Sequence, residues 1–243
     1  MKTKNLFLSC FMICILFMSS SCIFDLKTIT GKGSIVTESR NAKDFTSIEL
    51  QTSADVEIIK GNTFNVKVSD YENLVQYMHV EVIDNRLIIN KNPVSLNFRN
   101  SKAKVIVTLP DPLYSVKLAG SGNMKVLSAF NDLQHLFLSG SGNIELGCDC
   151  QLNKLDVLIS GSGNINAIGS VKDLYTKISG SGDIQFLQFK AKSANCTLSG
   201  SGNMVVNIED KLEAYLSGSG DIAYLGAPIV NSHVSGSGRV FKK

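Results

Sequence analysis

Over the second half of the chain, apolar and polar residues alternate in short stretches that restart at nearly constant intervals. Aligned on each Gly-Ser-Gly, the position two before the first glycine reads Leu118, Leu138, Ile159, Ile178, Leu198, Leu216, Val234. The position after the residue that closes the motif reads Met124, Ile144, Ile165, Ile184, Met204, Ile222, Val240. Further apolar columns follow by steps of two. Forwards stand Val126, Leu146, Ala167, Phe186, Val206 and Tyr224; backwards stand Val116, Leu136, Val157, Thr176, Cys196, Ala214 and Ser232, then Tyr114, Gln134, Leu155, Leu174, Ala194, Leu212 and Val230. Period two means strands with one buried face. Each repeat is therefore a strand into Gly-Ser-Gly, a bend, a strand out, and a variable return.

The first glycines are Gly120, Gly140, Gly161, Gly180, Gly200, Gly218 and Gly236, so a repeat is 18 to 21 residues long. A fixed period near twenty marks a solenoid whose units bury their apolar faces only against neighbours. The pattern predicts an all-β, right-handed, single-stranded parallel β-helix of about 20 residues per coil, with three short strands per coil and coils about 4.8 Å apart. A phosphate cradle needs one glycine-rich loop between a strand and a helix; seven copies between strands are architecture. The glycines are expected for two reasons, unusual backbone angles at the corner and close contact between stacked coils. The residue that closes the motif is Asn, Asn, Asn, Asp, Asn, Asp and finally Arg239, a column that predicts side-chain hydrogen bonds passing from coil to coil.

The pattern continues upstream in weaker form. Residues 48–58 overlay 116–126 position by position, and Gly31-Lys32-Gly33-Ser34-Ile35 reads as one more corner, so two coils are expected before the seven. Between residues 58 and 116 lie strand patterns at 65–68, at the hairpin-like 80–89 and at 105–109. These predict a small antiparallel β insertion capping or flanking the early coils. The expected divisions are a signal peptide at 1–21, a linker at 22–30, N-terminal coils with the insertion at 31–115, and the Gly-Ser-Gly-Asn/Asp β-helix at 116–243, the last two forming one continuous domain.

The amino terminus is of another kind. Lys2 and Lys4 precede an apolar run at 6–18 and then Ser19-Ser20-Ser21-Cys22. This is the layout of an export signal, too short to span a bilayer as a mature helix. A cysteine after small residues resembles the lipobox of bacterial lipoproteins, although Ser19 stands where that pattern usually has leucine. The resemblance implies lipidation at Cys22, with acyl chains each holding the membrane by about 0.8 kcal/mol per buried methylene. Loss of residues 1–21 takes two lysines and no acid, and the net charge falls from +3 to +1. Nothing in that balance suggests a nucleic-acid partner.

Candidate chemistry adds little. Cys10 and Cys14 leave with the signal, and Cys148, Cys150 and Cys196 allow no even pairing; a disulfide within Cys148-Asp149-Cys150 would be strained. The three read as structural, Cys196 as a small buried hydrophobe. His79, His135 and His233 are scattered, which leaves no zinc site. Calcium β-rolls need carboxylates from adjacent turns, whereas Asn203 separates Asp183 from Asp221. The outward columns read Lys117, Phe137, Leu158, Lys177, Thr197, Tyr215, His233 and Ser115, His135, Asp156, Tyr175, Asn195, Glu213, Asn231, with no converging acids. The expectation is no enzyme, no cofactor, and no catalytic, cofactor-binding or metal residue.

With its degenerate corner at Ser53-Ala54-Asp55-Val56, Tyr71-Glu72-Asn73-Leu74, Leu109-Pro110 before the coils and the repeated Ser-Gly-Ser-Gly-Asn, the chain over residues 31–240 resembles the GIN-domain family of autotransporter adhesin heads. The resemblance implies an all-β helical domain in the Gram-negative envelope and points to adhesion. The expected protein is a non-enzymatic outer-membrane lipoprotein, facing the periplasm or the exterior, that presents a rigid face to a polysaccharide or protein partner. A β-helical enzyme acting on polysaccharide, or a purely structural envelope protein, is the alternative.

Overall fold

The computed structural model describes residues 27–243, so the export signal, Cys22 and most of the linker lie outside the described residues. Its strands are β1 (Thr28–Thr30), β2 (Ile35–Arg40), β3 (Ser47–Leu50), β4 (Asp55–Lys60), β5 (Asn65–Tyr71), β6 (Met78–Ile83), β7 (Arg86–Lys91), β8 (Asn97–Arg99), β9 (Lys104–Leu109), β10 (Ser115–Leu118), β11 (Met124–Val126), β12 (His135–Leu138), β13 (Ile144–Ile159), β14 (Ile165–Ile178), β15 (Ile184–Leu198), β16 (Met204–Leu216), β17 (Ile222–Gly226), β18 (Ile229–Val234) and β19 (Val240–Lys242). Seventeen of them join in one sheet that coils on itself.

From β10 onwards the coils stack in parallel, and the strands entering each corner keep the register that the columns predict, with shifts in the strands leaving it. Val116 pairs with Leu136, Leu136 with Val157, Val157 with Thr176, Thr176 with Cys196 and Cys196 with Ala214. Within β13, residues 144–146, 150–152 and 154–159 pair separately with β14, which gives the three strand segments of a coil. Met124, Ile144, Ile165, Ile184, Met204 and Ile222 are fully buried in one ladder. At roughly 1.5–3 kcal/mol for each buried aliphatic side chain, such ladders drive the coiling, and no coil could bury its face alone. Tyr114 and Gln134 depart from the pattern and are exposed. In these early coils Leu113, Phe130 and Leu133 fill the interior instead, because the third face is a loop rather than a strand.

The corners owe their glycines to contact alone. None of the fourteen glycines in the seven corners has a left-handed φ, which corrects the expectation of unusual backbone angles. A Cβ on Gly163 would lie 1.6 Å from the carbonyl oxygen of Gly142, and every other corner glycine meets the backbone of the coil beneath in the same way. The corner serines are exposed, and their backbone N–H groups hold the stack, as Ser162 donates to the Gly140 carbonyl at 3.1 Å. The predicted side-chain ladder is present. Asn143 donates its Nδ2–H to Asn123 Oδ1 at 2.9 Å, while its own Oδ1 accepts the backbone N–H of Asn164 at 3.1 Å. The relay of carbonyl or carboxylate oxygens accepting the next coil's N–H runs from Asp55 to Arg239.

The N-terminal end differs from expectation in its order. Residues 48–58 do stack on 116–126, Ile48 against Val116 and Val56 against Met124. Residues 31–35 form no corner, since β2 runs antiparallel to β5. The outermost rung comes from the insertion: β7 pairs in parallel with β3, and β9 with β4. The chain thus lays down one rung, passes beneath it to form another, and climbs past the first to start β10. Antiparallel pairs β2–β5, β5–β9 and β6–β7 close this end. In the lower rung the corner is enlarged to residues 92–103, which carry β8 against β1. The fully buried carboxylate of Asp70 fastens this loop by accepting from the Lys102 N–H at 2.8 Å and the Ser101 hydroxyl at 2.6 Å.

Candidate functional site

Because side chains alternate across a strand, every coil that buries its apolar set must display the intervening set. The incoming segments, β10, β12, residues 154–159, 173–178, 193–198 and 211–216, and β18, carry both outward columns in register. Phe137 lies on Leu158, Lys177 on Thr197, and Tyr215 on His233; beside them His135 lies on Asp156 and Tyr175 on Asn195. This face contains the exposed rings of Tyr175 and Tyr215, 46% and 42% accessible.

Side chains touch both across the columns and from rung to rung. His135 and Phe137 stack with centroids 5.5 Å apart, and Tyr215 and His233 stack at 5.1 Å. Lys154 sits over the Tyr175 ring at 5.0 Å and also pairs with Asp156 at 3.1 Å. These pairs constrain the ring planes, while Tyr175 and Tyr215 remain exposed. The columns are legible in the sequence, whereas the Tyr215–His233 pair follows only once strands are set side by side.

At the lower end of the face, Glu49 is almost wholly buried between Arg86, 3.2 Å away, and Lys117, 3.1 Å away, and accepts from Gln51 at 2.9 Å. Burial works to raise its pKa, but the hydrogen bonds of Gln51 and Lys117 and the two cationic charges outweigh it and hold the carboxyl below its ordinary value. Glu213 is likewise held low, chiefly by the Lys211 ammonium at 2.9 Å.

The acids of the outward columns do not stand as a glycosidase pair. Asp156 and Glu213 are three rungs apart, about 14 Å at the usual rung spacing, whereas glycosidase carboxylates stand about 5–9.5 Å apart. Among the described residues no cluster of three or more His, Cys, Asp or Glu could hold a metal ion. Asp183 and Asp221 serve in the corner relay, accepting the backbone N–H groups of Asn203 and Arg239. A separate cavity of about 280 Å³ lies where the enlarged corner meets the regular ones, lined by Thr52, Lys91, Asn97, Ser101 and Ser121 among others.

The stacked coils with their closed N-terminal end define the protein as a β-solenoid, a repeat architecture in which each coil packs on its neighbours. The chain is a member of the family described as "Putative auto-transporter adhesin, head GIN domain", whose model matches residues 44–228. Among solved structures, a putative adhesin from Bacteroides fragilis NCTC 9343 shares 23% identity over 88% of this chain and 100% of its own, with a TM-score of 0.80. A protein described as a putative lipid binding protein from Parabacteroides distasonis ATCC 8503 shares 27% identity over 89% and 100%, with a TM-score of 0.74. A putative adhesin from Parabacteroides merdae ATCC 43184 follows at 23% identity over 89% and 99%, with a TM-score of 0.69. No curated protein matches the chain. The family points to the cell envelope or surface.

Proposed function

We propose that the protein is a non-enzymatic cell-envelope lipoprotein that holds an extended polysaccharide on the outward face of its incoming strands. The observation that carries this reading is the pair of in-register columns in which the exposed rings of Tyr175 and Tyr215, two rungs and about 10 Å apart along the stack, are interspersed with Asn195, Thr197, Glu213 and Asn231. Exposed aromatic rings pack against the apolar faces of sugar rings, and amides, hydroxyls and carboxylates between them take the hydroxyl groups. A rigid row of strands needs no ordering on binding, which favours a repetitive, extended ligand.

A glycan array probed with the wild-type domain and with Tyr175→Ala/Tyr215→Ala tests the reading. Two ring contacts at about 0.5–1.5 kcal/mol each predict a loss of roughly 5- to 150-fold in affinity. Unchanged binding by the variant moves the site off this face, and capture of a protein partner with no glycan bound replaces the ligand class. The anchor is proposed at Cys22, supported by the lipobox-like Ser19-Ser20-Ser21-Cys22. Mass spectrometry of the native amino terminus is expected to show an acylated Cys22, and an unmodified residue refutes it.

A further inference from the structure

Cys148 and Cys150 lie where β13 and β14 fall out of step. Leu146 pairs with Ala167 and Cys150 with Gly169, so residues 147–149 face Ile168 alone. The two additional residues form a bulge, the same two by which the 21-residue repeat from Gly140 exceeds the 19-residue repeat from Gly161. On a regular strand, residues two apart are about 6.5 Å from one another. Here the bulge turns both side chains together, and their sulfurs are 2.8 Å apart.

The two thiols are not equivalent. Cys150 is fully buried, whereas Cys148 is only partly so and reachable from solvent. The shared hydrogen bond lowers the pKa of Cys150 against the effect of burial, helped by the Phe130 backbone and the Lys60 charge. The same bond and burial raise that of Cys148. The third thiol, Cys196, is fully buried away from them, and burial pushes it up to about 11.

We propose that Cys148 and Cys150 are a reversible thiol–disulfide site, oxidised within one coil by a small external disulfide that reaches Cys148 first. Cys148 gives up its proton, and its thiolate attacks one sulfur of the external disulfide. The S–S bond of the reagent breaks, a mixed disulfide forms at Cys148, and one thiolate departs to take a proton. Cys150, next to Cys148, then gives up its proton and its thiolate attacks Cys148 Sγ; the mixed bond breaks, the second thiolate departs and takes a proton, and the Cys148–Cys150 bond forms. Two protein thiols are oxidised and one disulfide is reduced to two thiols. Closure requires the sulfurs to approach to about 2.05 Å, and of the two residues Cys148 lies in the bulge while Cys150 keeps its pairing with Gly169. An envelope location would place the pair in an oxidising compartment.

The test equilibrates the whole protein, treated with chelator, in buffers of varied oxidised-to-reduced glutathione ratio, then alkylates free thiols on unfolding. No Lys or Arg lies between Lys125 and Lys154, so one tryptic peptide, residues 126–154, carries both cysteines. In oxidising buffer this peptide is expected to resist alkylation and to be two hydrogens lighter, reversibly, while Cys196 alkylates throughout. Cys150→Ser is expected to stop at a glutathione adduct on Cys148, and Cys148→Ser to slow oxidation at Cys150 by about tenfold or more. Full alkylation of wild-type 126–154 in the most oxidising buffer, a stable glutathione adduct in place of ring closure, or a disulfide between two chains overturns the proposal. Protection seen only with an added soft metal ion and removed by chelator overturns it too, and replaces it with metal binding.

Discussion

Replacing Gly163 by alanine puts the corner mechanism to its sharpest test. The added Cβ would lie 1.6 Å from the Gly142 carbonyl oxygen and 2.8 Å from its carbon, and both are backbone atoms that no rotamer change can move aside. Relief requires the two coils to part locally by more than an ångström. That separation stretches the adjacent rung bonds, such as Ser162 N–H to Gly140 O at 3.1 Å and Ser160 N–H to Leu138 O at 2.9 Å. Overpacking costs about 1–3 kcal/mol and each broken backbone bond about 1 kcal/mol, so Gly163→Ala should destabilise by roughly 2–4 kcal/mol. For a chain of this size the melting temperature should fall by roughly 4–16 °C. Gly147→Ala supplies the control, because its Cβ would meet nothing nearer than 3.4 Å and its φ is not left-handed. It should stay within about 0.5 kcal/mol of wild type. Thermal melts of the two variants suffice, and coincident midpoints would refute the argument that contact between coils, not backbone angle, demands the corner glycines.

Two other predictions rest on charge. Glu49 has a depressed folded pKa, so its contribution to stability is present above its unfolded value, about 4.3, and is lost as pH falls through the lower folded value. Lys117→Met removes one of its two cations, and acid unfolding followed by circular dichroism should then begin at higher pH; an unchanged acid midpoint would show that Arg86 and Gln51 suffice alone. At the far end, Arg239 pairs with Asp221 at 2.9 Å and covers the Phe241 ring at 5.4 Å, on a rung with no further described strand above it. Arg239→Asn with Lys242→Ser and Lys243→Ser should uncover that ring, restore a ladder acceptor and favour association through the edge, which light scattering across a concentration series would reveal; a variant as monodisperse as the parent contradicts this.

What the sequence determined by itself was everything that repeats at short range. Alternation at period two assigned which residues point inward, the recurrence of Gly-Ser-Gly assigned the corners, and stacking one coil on the next then required Lys117, Phe137, Leu158 and their successors to form a single outward column, as they do. The mixed face was legible for the same reason, since a face is the complement of a buried set. Tertiary structure alone decided what depends on contacts between distant segments. Residues 86–109 form the rung beneath 47–60 although they follow it in the chain, and their enlarged corner of residues 92–103 hides the period that marks the other coils. Gly31 and Gly33 resembled a corner in letters, yet their neighbours lack the inward alternation on both sides, and β2 takes an antiparallel partner instead. The meeting of the Cys148 and Cys150 sulfurs was likewise out of reach, because a two-residue bulge changes a coil's length by an amount the sequence shows, while the direction in which it turns its side chains depends on the coils above and below.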